Sequence, residues 1–279
     1  MKSQLSWLVV TLLAALISCG DARGEGPEAV VRGLTTKDGV RFGIWPAAPK
    51  EPAPTLFILA SSIEETLGNE YFRQCGNELA KRGYLCVSVD LPGHGLEVRE
   101  GEPAGIAAWR ARCEKDEDFV VSLTSRLSKV VDHLIAEKMT DAAKIAACGT
   151  SRGGYSALQF AAAEPRVKCV AAFAPVTELG VLREFKGAET NAMVQKLSVE
   201  RRAADLAGRA VWLVIGDRDE RVGTDDTIRL ARMITAEALR QKRPALVELH
   251  VFAEPAGHTT PAGSAALAAE WIDKQIKLP

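Results

Sequence analysis

Ser151 sits in the run Gly149-Thr150-Ser151-Arg152-Gly153-Gly154, after the apolar segment Ile145-Ala146-Ala147-Cys148 and before an alanine-rich helical stretch. Glycine two residues to either side of a serine, between a strand and a helix, is the pattern of a sharp turn that lifts the hydroxyl clear of a sheet. Side chains at 149 and 153 would crowd that turn. The helix start behind the serine offers positive potential to an oxyanion. The chemistry that suits this arrangement is acyl transfer to water through an acyl-serine. A glycine-rich helix start merely capped by Ser151 is the bland alternative, and the strand-turn-helix setting argues against it. Cys148 is not a rival nucleophile, because it lies inside the strand.

A serine hydroxyl is a weak nucleophile at neutral pH and needs a base to take its proton. Of the four histidines, His258 is best placed, in the loop Ala256-Gly257-His258-Thr259-Thr260 beyond the last strand. His250 reads as a packed strand residue, His133 as the flank of a helix, and His94 as part of a Pro-Gly-His-Gly turn. The acid belongs between Ser151 and His258 in chain order. After the strand Val211 to Ile215 the sequence reads Gly216-Asp217-Arg218-Asp219. Asp219 has room to reach across the sheet edge, whereas Asp217 follows the glycine directly and suits a loop cap. Its task would be to hold the imidazole's tautomer and to stabilise the imidazolium. The oxyanion needs the N–H of Arg152 and a second donor from the loop Ala60-Ser61-Ser62-Ile63. Ser62 is the choice there, with Ser61 and Ile63 as substitutes, and Glu64 and Glu65 read as first-turn acids of a helix. The Arg152 side chain suits a substrate carboxylate or, more commonly, a surface ion pair.

These residues need a scaffold that alternates strands with helices. Buried-strand runs occur at Thr55 to Leu59, Leu85 to Val89, Lys144 to Cys148, Lys168 to Phe173, Ala210 to Ile215 and Leu246 to Phe252. Helical patterns fall between them, near Asn69 to Arg82, from Phe119 to Leu134, and at 152–163, 225–240 and 262–277. Thr224 is the expected cap of the fourth of these. Ala29 to Leu34 and Val40 to Trp45 suit an edge hairpin turning at Asp38-Gly39. The expected fold is α/β: a mainly parallel, eight-stranded type of sheet with helices on both faces, in one domain over 23–279. Residues 178–202 are the least regular, and suit either a small lid or a connecting helix.

Composition narrows the partners. Lys and Arg number 35 and Asp and Glu 36, with the signs mixed, so no basic stripe for nucleic acid is present. No metal-ligand spacing and no cofactor motif is found. At the N-terminus, Lys2, the apolar run Leu5 to Ile17 and the small residues Ser18 to Ala22 have the order of an export signal over 1–22. Leu16-Ile17-Ser18-Cys19 resembles the lipobox of bacterial lipoproteins. That resemblance implies acylation of Cys19 and a membrane-anchored or periplasmic protein, with cleavage after Ala22 and secretion as the alternative. Five cysteines follow the signal, and Cys75 with Cys113 is the pair considered for a disulfide.

With Ser151, Asp219 and His258 in this order, the chain resembles the α/β-hydrolases. It is similar to the compact branch of dienelactone hydrolases and the catalytic domains of prolyl-oligopeptidase-type peptidases. The likeness runs through Asp90-Leu91-Pro92-Gly93-His94-Gly95, Gly149 to Tyr155, Gly216 to Asp219 and Gly257-His258. Two departures stand out. Ala60-Ser61 replaces the His-Gly of many relatives, and Ser151 stands where dienelactone hydrolases use cysteine. No propeller is expected before the domain, so size selection of peptides through such a gate is not expected. The resemblance implies a serine hydrolase. The short 178–202 segment, with no separate peptide-selecting domain expected, favours a carboxylic ester as substrate, and a serine peptidase and a non-catalytic binding lipoprotein are the alternatives.

Overall fold

The computed structural model describes residues 30–278; the expected signal at 1–22, with Cys19, lies outside the described residues. Eight strands make one sheet: β1 (Arg32–Thr35), β2 (Arg41–Trp45), β3 (Ala53–Leu59), β4 (Leu85–Ser88), β5 (Thr140–Thr150), β6 (Val167–Phe173), β7 (Ala210–Gly216) and β8 (Val247–Phe252). Their order is β1-β2-β4-β3-β5-β6-β7-β8. The hairpin β1–β2 is antiparallel, as is β2 to β4, and the remaining neighbours are all parallel. The hairpin turns where Gly39 takes φ +82°, a conformation that costs glycine nothing.

The helices are α1 (Ile63–Gly68), α2 (Glu70–Arg73), α3 (Gly76–Ala80), α4 (Ile106–Cys113), α5 (Phe119–Ala136), α6 (Arg152–Ala163), α7 (Ala192–Lys196), α8 (Ala203–Leu206), α9 (Thr224–Arg240) and α10 (Ser264–Lys277). Strand side chains alternate between the faces. Phe57, Leu59, Ile145 and Ala147 join Leu123, Leu127, Phe160 and Ile234 of α5, α6 and α9 in one core layer. Leu56, Ile58, Ala146 and Cys148 join Ile63, Leu79, Ala268 and Ile272 of α1, α3 and α10 in the other. Central strands covered on both faces must be apolar at nearly every position, and all seven residues of β7 are buried. Each fully buried Leu or Phe contributes about 1.5–3 kcal/mol. Phe119, Leu123, Leu127, Val130, Val131 and Leu134 recur at three- and four-residue steps along α5, and all are buried.

Four expectations change. The stretch Asn69 to Arg82 is two short helices, α2 and α3, broken at Gln74, where φ is 46° and ψ −123°. Cys75 and Cys113 are free and belong to opposite layers, so the sheet separates them beyond disulfide reach. Gly223, not Thr224, stands at the N-cap of α9. Residues 178–202 do not form one connecting helix. They are 3₁₀ turns at Leu179–Val181, Arg183–Phe185 and Val199–Arg202 around the one-turn α7, with Leu179, Leu182, Phe185, Val194, Leu197 and Val199 in the core.

Glu178 opens this segment, and its carboxyl is hydrogen-bonded by the Ser198 hydroxyl. Burial pushes its pKa up from 4.5 to about 7. A carboxyl raised in the folded state favours the neutral form there. Its stabilising share is whole below pH 4.5 and is lost as pH climbs through about 7. Glu178→Gln, which still accepts from Ser198, should flatten the decline in urea-unfolding stability across that window. A slope unchanged by the substitution would rule Glu178 out as its source.

Candidate active site

The carboxyl ends of β3, β5 and β7 lie along one edge of the sheet, set by the register Leu59–Gly149 and the chain of parallel pairings from β5 to β7. The loops beyond them carry Ser62, Ser151 and Asp219, and the loop beyond β8 carries His258. Ligand crevices of open α/β sheets lie at this edge.

Ser151 joins β5 to α6 at φ 55° and ψ −116°, strained for a residue with a side chain and worth about 1–3 kcal/mol. The turn is held by Ser151 N–H donating to the Phe173 carbonyl, 2.8 Å, and by Val176 N–H donating to the Ser151 carbonyl, 3.2 Å. Its tightness explains both motif glycines. A Cβ on Gly153 would lie 1.7 Å from the Leu59 carbonyl oxygen, and one on Gly149 2.3 Å from the Gly153 backbone. No side chain fits.

His258 Nε2 lies 3.0 Å from Ser151 Oγ, and its Nδ1 lies 2.8 Å from Asp219 Oδ2. Asp219 can only accept, so Nδ1 carries the proton and Nε2 offers its lone pair to the serine hydroxyl. The Asp219 side chain is fully buried while that of His258 is 28% exposed. The second carboxylate oxygen of Asp219 accepts from the backbone N–H groups of Arg221 and Val222, at 3.1 and 3.2 Å. Asp217 is elsewhere: its Oδ1 accepts from Glu254 N–H, 2.8 Å, tying the β7 and β8 loops together. The structure thus brings Asp219, and not Asp217, against the His258 ring.

The backbone N–H groups of the loop after β3 differ in what they already bond. Ser61 N–H donates to Thr66 Oγ1 at 3.1 Å, and Ile63 N–H to Asp90 Oδ1 at 2.8 Å. The Ser62 hydroxyl accepts from Glu65 N–H and so caps α1. Among the described residues, the N–H groups of Ser62 and Arg152 have no hydrogen-bond partner. Of the three loop residues considered for the second donor, only Ser62 has its N–H to give.

The remaining histidines keep ordinary roles. His94 Nδ1 faces the Pro92 carbonyl at 3.0 Å, His250 packs 5.0 Å from the Trp212 ring, and His133 meets Phe42 edge-on at 5.4 Å. Burial and the nearby Arg152 charge lower the His94 pKa. Arg152 is not in a surface ion pair. Its Nε is buried without a partner, and the guanidinium makes no hydrogen bond or ion pair among the described residues. Burial lowers its pKa, Glu65 opposes this, and Arg221 adds like charge.

Sequence reasoning missed the braces around these groups. Asp90, 3% exposed, holds Ile63 through one oxygen and Leu96 N–H and Arg41 through the other. Its signal was a lone acid ending the apolar run Leu85 to Val89. Thr224, expected as a cap, instead donates to the Gly216 carbonyl at 2.6 Å and accepts from Asp219 N–H at 3.2 Å. It braces the acid's loop. Arg221 Nη2 reaches Glu184 at 2.8 Å, joining that loop to the 183–185 turn. Among the described residues, no group of His, Cys, Asp and Glu is arranged to hold a metal ion.

Comparison with known proteins agrees with this architecture. Over 127 residues the chain is 34% identical to 20-hydroxy-prefusarin hydrolase FUS2 of Gibberella moniliformis, covering 45% of this chain and 27% of that one. The chain thus aligns with about a quarter of that relative's length. A puromycin-hydrolyzing peptidase of Mycobacterium tuberculosis superposes with a TM-score of 0.66 at 17% identity, over 90% of this chain and 40% of that one. A cold-adapted esterase from an Arctic intertidal metagenomic library superposes with a TM-score of 0.62 at 18% identity, over 88% and 93%. Both superpositions show a shared fold. A dienelactone hydrolase family model matches residues 45–270, a span from the end of β2 into α10 that takes in every element of the site. The chain therefore belongs to the dienelactone hydrolase family.

Proposed function

We propose that this protein is a hydrolase that cleaves a carboxylic ester through an acyl-Ser151 intermediate. The carrying observation is one imidazole that bridges Ser151 Oγ at 3.0 Å and a buried carboxylate at 2.8 Å. Nε2 takes the hydroxyl proton as Oγ attacks the ester carbon. The oxyanion then gathers the free N–H groups of Arg152 and Ser62, each such donor being worth on the order of 10²–10³ in rate. The imidazolium returns its proton to the departing alkoxide, and the acyl group stays on Ser151. A water then repeats the cycle, with His258 as base, and frees the acid. Through both steps Asp219 stabilises the positive ring without accepting its proton.

The dienelactone of the family name is a cyclic ester, which supports ester over amide. The peptidase reading rests on shared fold alone. Arg152 adds a further preference. A half-buried guanidinium with no carboxylate hydrogen-bonded to it among the described residues, next in sequence to the nucleophile, suits an ester that carries its own carboxylate. Its side chain can change while its backbone N–H stays. Assay with p-nitrophenyl acetate, a p-nitrophenyl ester of a dicarboxylic acid, and dipeptide p-nitroanilides should show ester turnover far above amide turnover. Arg152→Leu should raise KM for the dicarboxylate ester by roughly 10- to 100-fold and leave that for the acetate nearly unchanged, a charged hydrogen bond being worth about 1.5–3 kcal/mol. Amides turned over as well as esters would reverse the substrate class.

A further inference from the structure

Gln74 lies outside every motif, yet it holds the same unusual backbone region as Ser151, φ 46° and ψ −123°. A non-glycine residue there is strained, and strain that persists in a structure points to a use for it. Gln74 is 5% exposed, in the break between α2 and α3. Its Nε2 donates to Thr260 Oγ1 at 3.1 Å. Thr260 is two residues beyond His258.

The mounting of the histidine loop gives that bond its importance. Residues 253–263 carry no regular structure, and several are exposed. On the upstream side the loop is fixed by Asp217 accepting from Glu254 N–H. Downstream of His258 and before α10, its hydrogen bonds to other elements, among the described residues, all end on the Thr260 hydroxyl. Gln74 makes the good one, and Tyr71 Oη stands at 3.4 Å. Thr259 and Ser264 bond only within the loop, to Gly257 and Pro261. The imidazole is thus carried between two mounts, and the second is a side chain available only because the chain breaks at Gln74. A continuous helix over 69–82 would remove the bend.

We propose that Gln74 is a positioning residue for His258, acting through Thr260, and that its strained backbone is retained for this purpose. The proposal rests on the acyl-serine reading, because it gives Gln74 a role only if His258 must meet Ser151 in register. Proton transfer is sensitive to placement on the scale of an ångström, which can cost on the order of a hundredfold in rate.

The test measures p-nitrophenyl acetate hydrolysis, fluorophosphonate labelling and thermal melting for wild type, Gln74→Gly, Thr260→Val and Thr260→Ser. Glycine relieves the backbone while deleting the side chain. The expected result for Gln74→Gly is kcat and labelling rate lower by about 10- to 100-fold, with KM unchanged and Tm equal or higher. Thr260→Val should lose the same factor, and Thr260→Ser, which keeps the hydroxyl, should recover most of it. Unchanged kcat in Gln74→Gly and Thr260→Val overturns the proposal. So does a fall in Tm with fewer titratable active sites and full kcat per site, since that is plain instability. Wild type that takes up no fluorophosphonate removes the acyl-serine reading itself, whereas equal labelling of wild type and Gln74→Gly removes only the role of Gln74.

Discussion

Ser151→Ala should lower kcat for p-nitrophenyl acetate by on the order of 10⁶ and abolish fluorophosphonate labelling, with KM and melting temperature little changed. The hydroxyl is the atom that forms the covalent bond, and no other group replaces it. Cys148, three residues upstream, faces the layer of α1, α3 and α10, is fully buried, and has its thiol pKa pushed up by burial. Alanine can hold φ 55° no better and no worse than serine, so the turn and its hydrogen bonds to Phe173 and Val176 should remain. A residue of roughly 10³–10⁴ over water should survive, because the N–H groups of Arg152 and Ser62 still meet the oxyanion. Labelling that persists in Ser151→Ala, or turnover within tenfold of wild type, would place the nucleophile elsewhere.

What the sequence made legible was what is decided locally. The strand-turn-helix setting of Ser151 needs only a dozen consecutive residues, and the collision of a Cβ at 153 with Leu59 restates that requirement in space. Chain order then assigned His258 and Asp219, and turn chemistry separated Asp219 from Asp217. Contacts that cross the fold were not legible. Nothing near Cys75 and Cys113 says on which face of a sheet each will pack, so their pairing could not be judged from spacing. Thr224 has the chemistry of a helix cap, yet the carbonyl of Gly216 and the N–H of Asp219 compete for its hydroxyl and win. Gln74 was hidden for the same reason, because Asn69 to Arg82 has ordinary helical composition and its break answers to Thr260, far away in sequence. The sequence left 178–202 open between a small lid and a connecting helix, because 3₁₀ turns have no period long enough to read.

The two aspartates of the β7 loop should separate by about three orders of magnitude. Asp219→Asn is expected to lower kcat by on the order of 10⁴, because the wrong imidazole tautomer then forms. The local hydrogen bonds specify how. Asp219 Oδ1 is held by Arg221 and Val222 N–H, so the amide oxygen of an asparagine should stay there and its NH₂ should turn to His258. An NH₂ facing Nδ1 requires an acceptor at Nδ1. That moves the ring proton to Nε2, where it confronts the Ser151 hydroxyl with a donor and no lone pair. Asp217→Asn keeps an oxygen for Glu254 N–H, and its effect on kcat should stay below about tenfold, the worth of one ordinary hydrogen bond. Steady-state kinetics on both variants, with melting curves to show that each is folded, read the difference directly. Equal losses would mean that Asp219 is a structural acid and that His258 takes its orientation from the loop mounts alone.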